Sequence, residues 1–130
     1  MQVGLLRMVG ASTAAYGLAV TAWPGLLAKP SGLAGEDGRV APATRTALRP
    51  LAWRDAASGL ALALAPPGPA LRTAACVRIA ADLGDAALLG GTLPERKRRA
   101  AVAVSVGWGA LSVAGLLWPA KRPRHSRTPL

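Results

Sequence analysis

AAVAVSVGWGALSVAGLLW, residues 100–118, runs for nineteen positions without a charge and follows directly on Arg96-Lys97-Arg98-Arg99. A helix rises about 1.5 Å per residue, so the stretch reaches roughly 28 Å, close to the hydrocarbon thickness of a bilayer. A basic flank, an apolar span and a closing tryptophan form the pattern of a membrane segment. Working back along the chain, Met8 to Leu27 makes a second apolar run broken only by Ser, Thr and Pro24. At about twenty residues it exceeds the core of a secretory signal, and no small-x-small cleavage site follows closely, so an uncleaved helix is expected.

Two further spans lie between. Lys29 to Pro50 carries Gly, Pro, Ser and scattered charge without periodicity and reads as a loop. Leu51 to Ala65 is apolar but only fifteen residues long, which is short for a crossing. Pro66-Pro67-Gly68-Pro69 turns the chain, Ala70 to Leu93 forms the third span, and Pro94 to Arg99 reads as a short basic loop. The expectation is an all-α fold, a transmembrane four-helix bundle. One integral membrane domain occupies 1–120, with spans about 5–27, 51–65, 70–93 and 100–118, and 121–130 forms a basic disordered tail.

Composition agrees with that placement. The chain has 130 residues, 52% of them hydrophobic, a net charge of +10 and no phenylalanine; its mean hydropathy is +0.31. Clustered Lys/Arg is the footprint of nucleic-acid binding, but here the basic residues sit between and after the apolar runs. They do not interleave with aromatics, so no nucleic-acid partner is expected. Eight of them flank the first and third loops and six the opposite side, a small bias that places both termini outside. Trp23, Trp53 and Trp118 fall near span ends, as an aromatic belt requires, whereas Tyr16 and Trp108 fall mid-span. Small residues recur four apart at Gly10/Ala14, Ala80/Gly84, Ala86/Gly90 and Ser105/Gly109, spacing that permits close helix packing in lipid.

The chemistry lies in the second and third spans. Arg78, Asp82 and Asp85 fall within about 60° on one helical face. A charge near mid-span costs at least ~2.5 kcal/mol on insertion scales, so it should face the interior and be paired. Counting outward from the proline turn brings Arg54 to the depth of Asp82 and Asp55 within reach of Arg78. The expected buried network is therefore Arg54, Asp55, Arg78, Asp82 and Asp85. It pins two alanine-rich helices in register. With three carboxylates to two guanidiniums it also leaves one negative charge unmatched, a proton or cation site in the making.

Enzymatic readings find little to stand on. A lone Cys76 and a lone His125 rule out an internal disulfide or a cysteine-based metal centre, and no phosphate-binding glycine pattern is present. Asp82-x-x-Asp85 shares a spacing with metal-binding membrane transferases, but those need further aspartates at fixed spacing in another helix, where Asp55 alone is on offer. No catalytic residue, metal or cofactor is expected.

Trp53-Arg54-Asp55…Gly59-Leu60 followed by Arg78-x-x-x-Asp82-x-x-Asp85 resembles small uncharacterised actinobacterial four-helix membrane proteins of the DUF4267 type. The likeness spans roughly Leu5 to Leu117. It implies a compact bundle in a bacterial plasma membrane, multi-pass, and implies no activity. The sequence thus points to a non-enzymatic accessory or scaffolding protein of the lipid bilayer, associating with itself or a larger membrane partner. The alternative is a small proton- or cation-coupled transporter acting as an oligomer.

Overall fold

The structure, a computed structural model, describes residues 1–93 and 95–119. The basic tail from Lys121, with His125, lies outside them. Among the described residues the chain is all-helical. Four long helices, α1 (Val3–Ala22), α3 (Pro42–Leu64), α4 (Pro69–Thr92) and α5 (Glu95–Leu117), are joined by one short helix, α2 (Gly25–Ala28).

Helix boundaries depart from the sequence reading at three places. The expected span 5–27 ends at Ala22, because Trp23 leaves helical geometry and Pro24 starts α2. The expected span 51–65 is the second half of a 23-residue helix whose first turn holds Pro42, where a missing N–H costs nothing. Pro50 is carried inside that helix. Its neighbour Leu48 is 5% exposed, so tertiary packing outweighs the local penalty of the ring. Trp53 thereby sits in the middle of α3 rather than at a span end, and is 57% exposed. Finally, the expected loop 94–99 is mostly helix. Glu95 occupies the first turn of α5, favourable against the helix dipole, and Arg and Lys are good helix formers.

Neighbouring long helices run antiparallel. Gly10 on α1 lies against Gly59 and Ala63 on α3, and Gly17 lies against Ala52 and Ala56. A Cβ at Gly10, Gly17 or Gly59 would stand 2.5–2.7 Å from partner backbone atoms, so these two helices touch main chain to main chain. Gly109 on α5 meets Asp82 on α4, and Gly90 meets Val102, which fixes the α4–α5 register. The α3–α4 turn uses Gly68 at φ 120°, ψ −145°, a region open to glycine alone.

Both described chain ends and the α3–α4 turn share one end of the bundle. There Leu6, Val9, Leu62, Leu71 and Ala75 form the apolar core, with Trp108 and Leu116 packed against it. The Gln2 backbone N–H donates to the Gly115 carbonyl (2.6 Å) and its side-chain amide to that of Pro119 (3.1 Å), tying α1 to the end of α5.

Candidate functional site: a buried arginine–aspartate network

α3 and α4 are held across their middles by charge rather than by close backbone approach. Arg54, Asp55 and Ser58 fall on the α4-facing side of α3, and Arg78, Asp82 and Asp85 line one face of α4 at the three- and four-residue steps of a helix. The five charged residues singled out from sequence form one connected network.

Arg54 grips Asp85 with a fork: Nη1 donates to Oδ1 at 3.0 Å and Nη2 to Oδ2 at 2.6 Å. The other edge of the same guanidinium donates from Nε (3.3 Å) and Nη2 (3.0 Å) to Asp55 Oδ1. Arg78 Nη1 donates to Asp55 Oδ1 at 2.9 Å and to Ser58 Oγ at 3.1 Å, and its Nη2 donates to Asp82 Oδ1. Asp55 therefore joins the two arginines, and Arg78 joins the two helices. Burial deepens from Arg54, whose side chain is 37% exposed, to Arg78 and Asp82, which are each 3% exposed.

One pairing differs from the depth count. Arg54 engages Asp85 and not Asp82. Side chains lean toward the N-terminus of their own helix, and in antiparallel α3 that direction runs toward the C-terminus of α4. A count of Cα levels misses the shift, which is about one turn. The structure therefore sets a crosslinking expectation. In a Cys76→Ser background, Arg54→Cys with Asp85→Cys is expected to join under a short bifunctional thiol reagent in the folded protein. Arg54→Cys with Asp82→Cys is expected to join more slowly; the reverse order would reject this register.

Ser112 is a buried polar residue that sequence reading missed. It is fully buried on α5, one turn beyond Gly109. Its Oγ, Asp82 Oδ2 and Arg78 Nε are buried and lack a hydrogen-bond partner among the described residues. A serine in an apolar run gives no sequence signal of its own.

Among the described residues no group of three or more His, Cys, Asp or Glu is arranged to hold a metal ion. An open apolar groove of about 860 Å³ runs between α4 and α5, lined by Ile79, Leu83, Val106, Val113, Leu117 and neighbours. One described helix, Val3–Ala22, is long and apolar enough to cross a membrane by length and composition, with mean hydropathy 1.4 in its best window. Ala101–Leu117 is a shorter apolar helix. Compared with family models, curated proteins and solved structures, the chain matches none.

Proposed function

We propose that the chain is a multi-pass integral membrane protein of the bacterial plasma membrane, a non-enzymatic scaffold whose four long helices all sit in the bilayer. The observation that carries this reading is an inverted polarity. Arg78 and Asp82 are 3% exposed, whereas Met8, Leu64, Leu88 and Leu117 are 67–74% exposed and Trp23 and Trp118 are 66–68% exposed. A water-soluble bundle would bury the latter and solvate the former.

Inverted polarity also accounts for the hydropathy result. A sliding average counts Arg54, Asp55, Arg78, Asp82 and Asp85 against α3 and α4 as though lipid met them, but these residues face one another. Helical threonines give further support. Thr13, Thr21, Thr46, Thr73 and Thr92 each donate to the carbonyl four residues back, so their hydroxyls need no water. In this reading the exposed apolar surface is the contact for lipid and for a further copy or a larger membrane partner. The fold and location also accord with what the likeness of Trp53-Arg54-Asp55 and Arg78-x-x-x-Asp82-x-x-Asp85 to the DUF4267 type implies.

Fractionation tests it. The full chain, expressed in a bacterial host, is expected to stay in the membrane pellet through high salt and alkaline carbonate and to dissolve only in detergent. Release by salt would mean a basic peripheral protein and would end the membrane reading. A second reading, a cation- or proton-coupled carrier, is favoured by one observation: the network holds three carboxylates against two guanidiniums.

A further inference from the structure

We propose that the network holds a single structural proton, carried on Oδ2 of Asp82. The inference rests on the membrane reading above, because an apolar surround is what makes an unmatched charge intolerable.

The formal balance of the network is one negative charge in excess. Three carboxylates are candidates to lose it, and the geometry separates them. Both oxygens of Asp85 lie in the fork of Arg54. Oδ1 of Asp55 accepts from both arginines. Asp82 has one oxygen engaged, by Arg78, while its Oδ2 is buried without a partner. Its side chain is 4% exposed against 21% for Asp55 and 22% for Asp85, so it also gains least from solvent as an anion.

The position of Asp82 agrees. A Cβ on Gly109 would stand 3.5 Å from that of Asp82, so Asp82 packs against α5 and away from solvent. Among the described residues nothing donates to its Oδ2, and a neutral carboxyl oxygen there costs less than an unpaired anionic one.

A metal cation fits this position poorly. It would sit against the guanidinium of Arg78, and Asp82 alone supplies too few oxygens. A proton needs no room. The groups facing Asp82 are Arg78 and Asp85 from its own helix, Asp55 and Arg54 from α3, and Gly109, which does not ionise, from α5. On α1, Tyr16 lies within electrostatic reach of Asp55.

Infrared spectroscopy of the full chain in liposomes, with ¹³C-labelled aspartate, reads the proton directly. At neutral pH the wild type is expected to show one protonated aspartate carbonyl band per chain, shifted in D₂O. Asp82→Asn is expected to lose it. Absence of the band in wild type overturns the proposal, as does a band that survives Asp82→Asn and vanishes in Asp55→Asn or Asp85→Asn. Should Asp82→Asn fail to fold, Asp82→Glu decides, since it removes the labelled carboxyl and keeps an unlabelled one: a labelled aspartate band that persists there places the proton elsewhere and overturns the proposal. Carbonate extraction of the same preparation separates the two readings. A chain retained in the membrane without the band loses the proton alone, whereas a chain released by carbonate loses the membrane assignment.

Discussion

Gly59→Leu is expected to pry α1 from α3 and to be among the most damaging apolar substitutions, with Gly10→Leu and Gly17→Leu. A Cβ at Gly59 would meet the Ala14 nitrogen at 2.5 Å and the Gly10 oxygen at 2.7 Å. Overpacking usually costs about 1–3 kcal/mol because neighbouring side chains shift. Here the neighbours are backbone atoms of a helix, with no rotamer to change, and the cost should reach at least about 3 kcal/mol. In detergent this corresponds to a drop in melting temperature of roughly 10 °C or more. Gly84→Ala and Gly107→Ala are the matched controls. Nothing stands within 4 Å of a Cβ at either site, so they should gain about 0.5–1 kcal/mol of helix propensity. Equal melting of all three variants would remove the α1–α3 contact from the account of stability.

Arg78→Gln is the second large effect, and its contrast with Asp82→Asn is the sharper test. Arg78 is 3% exposed and bonds Asp55, Ser58 and Asp82. Removing its charge takes the guanidinium partner from both Asp55 and Asp82 and leaves Arg54 as the one arginine of the network, and breaking a buried pair in this way costs about 3–5 kcal/mol. Asp82→Asn instead leaves two carboxylates to two guanidiniums, with Arg78 still held by Asp55. It is expected to cost less than about 1 kcal/mol. The double variant restores the wild-type excess of one charge and should melt above Arg78→Gln alone, a non-additivity expected within one network. If Asp82→Asn proved the worse of the two single variants, Arg78 would not be the hub.

How much of this was legible in the chain varies with the physics of each part. The five network residues could be found because helix periodicity and the cost of charge in lipid are both local arguments. The Arg54–Asp85 pairing could not, since it depends on which way side chains lean. The start of α3 was hidden by Pro42 and Pro50, which signal breaks, and by Arg45 and Arg49, which dilute any apolar face. Packing of Leu48 decides that segment, and packing is not written locally. Gly10 and Ala14 stood out by spacing, but Gly17, Ala52, Ala56 and Gly59 were lost among many small residues in an alanine-rich sequence. Ser112, a serine in an apolar run, is silent.

The strongest helix contacts are α1 with α3 and α4 with α5, each a pair contiguous in sequence, and the charged layer lies on the seam between the pairs. A ribosome therefore completes the first pair before any residue of the second exists. On the membrane reading proposed above, Arg54 enters the bilayer without Asp85 but with Asp55 beside it as a counterion. Arg78 arrives later with Asp82 already four residues away. Each arginine thus has a carboxylate on its own helix from the start. Both local pairs persist in the folded bundle, and docking adds Arg54–Asp85 and Arg78–Asp55 across the seam. The seam closes last and is where two separately synthesised halves would find each other.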